Sequence, residues 1–207
     1  MMRIDSVSEN PDRVGKYRVT LSDGSKLWLY RQTIEDHCIY VGKELTDEEL
    51  TELKTAAGRM SAKMRAVRIL AASNVSRADL KQRLISKGEK PDDAVQAVAW
   101  MEAHSLVDDE KTARHIVSQC IDKGYGKARA KQALYEKRIP KEYWDAVLAD
   151  YPDQVDKIVA FLQAKLTDTK DEKALRKVTD ALLRRGHSYS SIRSAMLQLD
   201  MDVQEDY

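Results

Sequence analysis

The side chains best able to do chemistry in this 207-residue sequence are its histidines, cysteines and clustered carboxylates. Their spacing points away from catalysis. His37, His104, His115 and His187 are scattered, and none stands at metal-ligand spacing from another His or a Cys. His104 precedes Ser105-Leu106-Val107-Asp108-Asp109 at a helix-to-loop transition, where a capping role suffices. Asp108-Asp109-Glu110 sets three carboxylates in a row, but acidic residues at a helix start are favoured by the helix dipole, so capping is the expected job. Cys38 and Cys120 lie far apart in sequence. No nucleophile with a base beside it and no paired acid and base emerge, so no enzyme, catalytic residue, metal site or cofactor is expected.

The basic residues are better organised. Net charge is +1, but it divides unevenly: −3 over residues 1–58, +7 over 59–138 and −3 over 139–207. A polyanion would be met in the middle section. Arg65 and Arg68 lie on one expected helix, with Arg77, Lys81, Arg83 and Lys87 on the next. Lys127, Arg129, Lys131, Lys137 and Arg138 occupy the equivalent region further on, and Arg176, Lys177, Arg184 and Arg185 do so again. Lys and Arg also serve simply as good helix formers on solvated faces. From charge and placement, the candidate contacts are Arg65, Arg68, Arg83, Lys87, Lys127, Arg129, Lys131, Arg184 and Arg185. The loop Lys123-Gly124-Tyr125-Gly126-Lys127 has two readings. It offers N–H groups to an anion at a helix N-terminus, or it is a C-cap followed by a tight turn. It lacks the GxxxxGK[ST] pattern of a nucleotide loop.

These cations need helices to carry them, and the composition supplies helices. Hydrophobic residues make up 43% and charged residues 33%, as in a folded globular chain. Eight glycines and four prolines are too few for an all-β protein rich in tight turns. No apolar run reaches the roughly 18 residues of a membrane helix. Met1-Met2-Arg3-Ile4-Asp5 carries no hydrophobic segment, so a cytoplasmic location with reduced thiols is expected.

The first 58 residues read as a β-hairpin and a helix. Tyr17–Leu21 and Leu27–Tyr30 alternate around Ser22-Asp23-Gly24-Ser25, where Asp-Gly predicts a type I′ turn. The short apolar run Cys38-Ile39-Tyr40-Val41 is read as a further strand ending at Gly42. Thr46-Asp47-Glu48-Glu49 has the form of a capping box. From residue 59 the period becomes helical, with Met60, Met64, Val67 and Ala71 as one stripe. Ser76 starts the next helix, with Leu80 and Leu84 inward and Gly88 as its stop, and Pro91 starts a third.

This pattern recurs. Leu84–Gly88, Leu134–Arg138 and Leu182–Gly186 align, with Gly88, Arg138 and Gly186 set 50 and then 48 residues apart. Apolar residues follow at matching offsets: Val95, Val98 and Ala99; Trp144, Val147 and Leu148; Ile192, Ala195 and Met196. Helices are expected upstream at roughly 60–73, 110–123 and 154–166. Trp100 and Trp144 read as core residues. The expected fold is mainly α: a unit over 1–58, then three tandem three-helix repeats at 59–107, 108–151 and 152–207. Such repeats complete one another's cores by stacking, which predicts an elongated curved body.

Several stretches together resemble the RecX family. They are Ser76-Arg77-Ala78-Asp79-Leu80 through Lys87-Gly88, then Leu106-Val107-Asp108-Asp109-Glu110 with Ala113-Arg114, and Lys123-Gly124-Tyr125-Gly126-Lys127-Ala128-Arg129 leading to Leu134. The hairpin and Gly42-Lys43-Glu44-Leu45 are similar too, so the likeness spans nearly the whole chain. Thr112 replaces a usual aromatic and Arg138 a usual Gly. The resemblance implies a monomeric regulator of DNA repair and the SOS response. It would bind the RecA recombinase and its filament on single-stranded DNA, and would touch single- and double-stranded DNA through a basic surface. It would inhibit filament extension, ATPase, strand exchange and coprotease activity. Two rival readings are a stand-alone helix-turn-helix-like DNA-binding regulator and a generic helical-repeat scaffold for a protein partner.

Overall fold

The computed structural model describes residues 1–166 and 171–205, with side chains described up to Leu199. The last expected repeat, 152–207, therefore includes 167–170, 206 and 207, which lie outside the described residues. The chain forms two compact units, Met1–Val107 and Asp108–Tyr207.

The first unit opens on strands β1 (Met2–Val7), β2 (Lys16–Leu21) and β3 (Lys26–Tyr30). Helix α1 (Arg31–Asp36) and the two-residue strand β4 (Glu44–Leu45) follow. All pairings are antiparallel, in the order β3-β2-β1-β4. Val19 faces Leu27 and Tyr17 faces Leu29 across the expected hairpin. Its turn differs from expectation, since Gly24 has a positive φ of 79° but Asp23 does not, so it is not type I′. The Gly24 N–H donates to the Leu21 carbonyl and the Leu21 N–H to Ser25, the pattern of a type I turn closed by a left-handed glycine. The further strand expected at Cys38–Val41 is absent. Cys38 instead ends α1 at φ 47°, with Ile39 N–H bonded back to Ile34 O. Ile4, Val19, Leu21, Leu29, Ile39 and Leu45 form the sheet's buried face with Leu50 and Leu53.

Leu50 and Leu53 belong to α2 (Asp47–Ala72), a single helix where the sequence suggested two separate segments. Its start is the expected capping box. The Glu49 N–H donates to Thr46 Oγ1 at 3.1 Å, and the Thr46 N–H to Glu49 Oε2 at 2.7 Å. Helices α3 (Arg77–Ser86) and α4 (Pro91–Ala103) complete a three-helix bundle with the C-terminal half of α2. Its core is Ala62, Ala66, Leu80, Leu84, Ala94, Ala97 and Met101. The expected stripe of Met60, Met64, Val67 and Ala71 is thus rotated away from the core, and Val67 and Ala71 are exposed. Val95 and Ala99 are likewise exposed. Alanines at the α2–α4 contact let the two backbones approach closely, which larger apolar residues would prevent.

The second unit repeats the plan twice. Helices α5 (Asp109–Asp122) and α6 (Lys127–Glu136) lead to a 3-10 turn (Lys141–Tyr143) and the short α7 (Trp144–Leu148). Helices α8 (Val155–Lys165), α9 (Glu172–Arg184) and α10 (Tyr189–Glu205) follow. Ala113, Val117, Ala130, Leu134 and Leu148 centre the first of these bundles, and Ile158, Leu162, Leu182, Ile192 and Ala195 the second. Trp100 and Trp144, read from the sequence as core, are each half-buried and pack against the edge of their bundles, and the Trp144 indole N–H donates to Ile139 O.

The aligned stops are one device used three times. Gly88, Arg138 and Gly186 have φ of 91°, 54° and 86°. The residue after each donates its N–H back to Leu84, Leu134 or Leu182, closing a Schellman cap. Arg138 has a Cβ in a conformation that favours glycine. Arg138→Gly is therefore expected to stabilise the second unit by up to about 1 kcal/mol, read as a raised midpoint in urea with an unchanged slope.

Candidate polyanion and partner interface

The structure sorts the nine candidate cations by what they already hold. Arg65, Arg68, Arg83 and Lys87 are in the first unit; Lys127, Arg129, Lys131, Arg184 and Arg185 are in the second. Arg65 Nε lies 2.6 Å from Glu89 Oε1, and the Glu89 side chain is only 8% exposed. That carboxylate also accepts from Ser61 Oγ, so Arg65 neutralises a buried acid and ties α2 to the α3–α4 loop. Arg68 donates to the Tyr30 hydroxyl at 3.2 Å. Arg83 pairs with Asp79 at 3.0 Å one turn earlier and reaches Ser73 Oγ. Arg129 pairs with Glu136 at 3.0 Å. Arg65, Arg83 and Arg129 thus carry ion pairs within the fold, whereas Arg68 is exposed and its partner is a neutral hydroxyl.

Arg185 is half-buried within the second unit. Its guanidinium donates to Lys123 O at 2.8 Å and lies over the rings of Tyr125 and Phe161 at 5.0 and 5.3 Å. By contrast, Lys87, Lys127, Lys131 and Arg184 are exposed, with no ion pair or hydrogen bond among the described residues. Lys127 and Lys131 stand one turn apart on α6, so they act on the same helix surface.

The Lys123–Lys127 loop takes the cap-and-turn form. Gly124, at φ 64°, ends α5, with Tyr125 N–H bonded back to Cys120 O. Gly126 N–H donates to Arg185 O at 2.9 Å, and Ala128 N–H to Gly186 O at 3.3 Å. The start of α6 is thus filled by carbonyls from the end of α9. Positive and negative helix ends face each other there, and no anion is needed.

Side chains missed in the sequence close the other side of this clasp. Lys157 Nζ meets Ile121 O at 2.5 Å, the Tyr151 hydroxyl donates to Tyr125 O at 2.6 Å and Gln154 Nε2 to the same oxygen at 2.7 Å. His187 Nε2 contacts Gly124 O at 3.1 Å. A carbonyl only accepts, so this nitrogen carries a proton. The paired glycines at 126 and 186 were the available sequence signal.

Burial pushes the Tyr151 hydroxyl up to about 12. Burial also holds His187 below the ordinary 6.5, with Arg185 adding to the effect and the Gly124 bond opposing it. A histidine whose folded pKa is depressed favours the fold while neutral. Stability is therefore fully present above the unfolded value and is lost as pH falls through the folded one. The thermal midpoint of the second unit is expected to drop between about pH 7 and about pH 5, and His187→Gln should flatten that dependence. Equal pH dependence in both proteins would remove His187 as its source.

Remaining candidate chemistry resolves into structure. Asp108 caps α5 through Lys111 N–H at 3.0 Å, and that bond holds its carboxyl below the usual range. Thr112 is buried with its hydroxyl on Asp108 O. His104 ends α4, bonds Trp100 O and stacks on the Trp100 ring at 3.9 Å. Trp100 is only half-buried, and Lys63 Nζ stands 3.8 Å from its centre. Both cysteines are free thiols, and burial raises the Cys120 pKa. Among the described residues no helix is long and apolar enough to cross a membrane.

A small antiparallel sheet followed by successive three-helix bundles, each second helix closed by a left-handed stop, defines a class of tandem three-helix proteins. The family model described as "RecX, second three-helix domain" matches residues 108–148. The regulatory protein RecX of Cronobacter sakazakii is 31% identical over 145 residues, covering 63% of this chain and 87% of that protein. That of Vibrio campbellii is 29% identical over 152 residues, covering 72% of this chain and 98% of the relative. A crystal structure of a regulatory protein RecX superposes with a TM-score of 0.66 at 19% identity, covering 94% of this chain and 100% of that one, a likeness of fold. The chain belongs to the RecX family.

Proposed function

We propose that this protein binds RecA and RecA–single-stranded-DNA filaments and restrains them, limiting filament extension, ATP hydrolysis, strand exchange and coprotease activity. Its kinship with proteins named as RecX regulators carries this reading. The exposed, unpaired Lys127 and Lys131 on the middle helix of the matched 108–148 segment give it a physical form. A protein that holds adjoining filament protomers needs binding surfaces and no catalysed step. Lysines that meet phosphates would add a salt-dependent contribution to that binding.

The test is to titrate the protein into RecA on single-stranded DNA while following ATP hydrolysis and filament length. Substoichiometric protein is expected to slow both hydrolysis and growth. Unchanged ATPase and unchanged length at every ratio would refute the reading. Tight, sequence-selective duplex binding without RecA would favour an independent DNA-binding regulator.

A further inference from the structure

We infer that the end of α6 carries a stacking site for single-stranded nucleic acid, centred on Tyr135 and flanked by Lys131 and Lys141. The inference deepens the proposed function and rests on its nucleic-acid component.

Three observations converge on this place. First, Tyr135 is 71% exposed, although its counterparts at the aligned positions, Ile85 and Leu183, are half-buried aliphatic residues packed against their cores. The second bundle alone puts an aromatic ring in solvent at this step of the repeat. The Tyr135 hydroxyl has no partner among the described residues, so no internal polar contact explains the ring.

Second, this is a strongly basic stretch. Between residues 127 and 141 the sequence holds six cations, Lys127, Arg129, Lys131, Lys137, Arg138 and Lys141, and one carboxylate, Glu136. Glu136 is already paired with Arg129. Lys131 sits one helical turn before Tyr135 and is exposed, as is Lys141 after the stop.

Third, the ring borders a concavity of about 500 Å³, whose other walls are Glu136, already paired with Arg129, and Arg138, Ile139, Pro140, Lys141 and Trp144. The left-handed backbone at Arg138 turns the chain sharply, which brings Lys141 back beside the end of α6. Trp144 is fixed there by its indole N–H on Ile139 O at 3.0 Å.

An exposed ring beside a shallow hollow, bordered by cations, suits a base stacked on the ring with its phosphates running past the lysines. A paired duplex keeps its base faces covered, so the ring would select single strands. An acidic peptide would be drawn by the same charge but gains little from a flat aromatic face.

The experiment uses the full chain and a fluorescent oligothymidylate in the absence of RecA, read by anisotropy at low salt. Tyr135→Ala should weaken binding roughly tenfold, while Tyr135→Phe, which keeps the ring, should bind like wild type. Lys131→Gln and Lys141→Gln should each lower the salt slope of log K by about 0.7. Circular dichroism melting curves check that each variant is folded. Wild-type affinity in Tyr135→Ala overturns the inference, as does equal loss in Tyr135→Phe. Failure of the wild type to bind, or tighter binding to a poly-glutamate peptide than to the oligonucleotide, overturns it as well. Because RecA is absent, this failure is distinct from failure of filament regulation, which the ATPase titration reads.

Discussion

Gly126→Ala is expected to destabilise the second unit by about 3 kcal/mol, a large effect for one added methyl group. Gly126 has an ordinary negative φ, so backbone strain is not the reason. A Cβ at this position would lie 2.0 Å from Gly186 O, 2.2 Å from Gly186 C and 2.4 Å from His187 N. These are backbone atoms in a Schellman cap and have no side-chain freedom with which to yield. The helices would have to part, breaking the Gly126–Arg185 and Ala128–Gly186 hydrogen bonds and loosening the contacts of Arg185 and His187. Gly24→Ala provides the contrast, because its added carbon meets nothing within 4 Å and only the positive φ opposes it, at about 1 kcal/mol. In thermal unfolding, Gly126→Ala should lower the transition of the second unit by more than about 10 °C. An unshifted transition would show that the α6–α9 clasp does not hold the bundles together.

The same clasp marks the boundary of what the sequence revealed. Signals acting within a few residues were legible. Thr46 and Glu49 form their box, Ser76 and Asp108 cap their helices, and Gly88 and Gly186 end theirs in the left-handed region. Each depends on local hydrogen bonds and φ preferences. The period of each bundle was also readable, because the stops recur at nearly constant spacing. The inward face of α2 was not. Met60, Met64 and Val67 outrank alanine in hydrophobicity, whereas the α2–α4 contact selects Ala62, Ala66, Ala94 and Ala97 for their small size. Strand β1 escaped detection because its alternation, Met2 and Ile4, breaks at the irregularity between Ile4 and Ser6, which puts Val7 out of step.

The candidate surface was legible in residue type and not in availability. Charge and helical spacing identified the arginines, but the partners of Arg65, Arg68 and Arg185 are distant in sequence, while only Arg83 and Arg129 pair nearby. Glu89 is 24 residues beyond Arg65, and Arg185 reaches Lys123 across 62 residues. Arginine's planar, multi-donor head suits such internal bridging, which is why the unpartnered candidates are mainly lysines. The feature that separates available cations from braces is therefore the absence of a partner among the described residues, and this required coordinates.

That distinction yields the second large effect. Combined reversal of Lys87, Lys127, Lys131 and Arg184 to Glu is expected to weaken engagement of RecA filaments on single-stranded DNA by on the order of a hundredfold, measured as the concentration that half-inhibits ATP hydrolysis. All four side chains are exposed and hold no partner among the described residues, so the thermal midpoint should move little. Arg65→Ala and Arg83→Ala should behave in the opposite way. The first leaves Glu89 nearly buried without its countercharge, and the second removes the Arg83–Asp79 ion pair within α3. Both variants should lose stability while half-inhibiting near the wild-type concentration below their melting temperatures. The two sets thus separate, within each unit, cations that are available to a partner from cations that brace the bundles. A folded quadruple variant that inhibits at the wild-type concentration would show that the exposed cations have no part in regulation. Loss of inhibition by the folded Arg65 and Arg83 variants would instead place the filament contact on the first unit's internal braces.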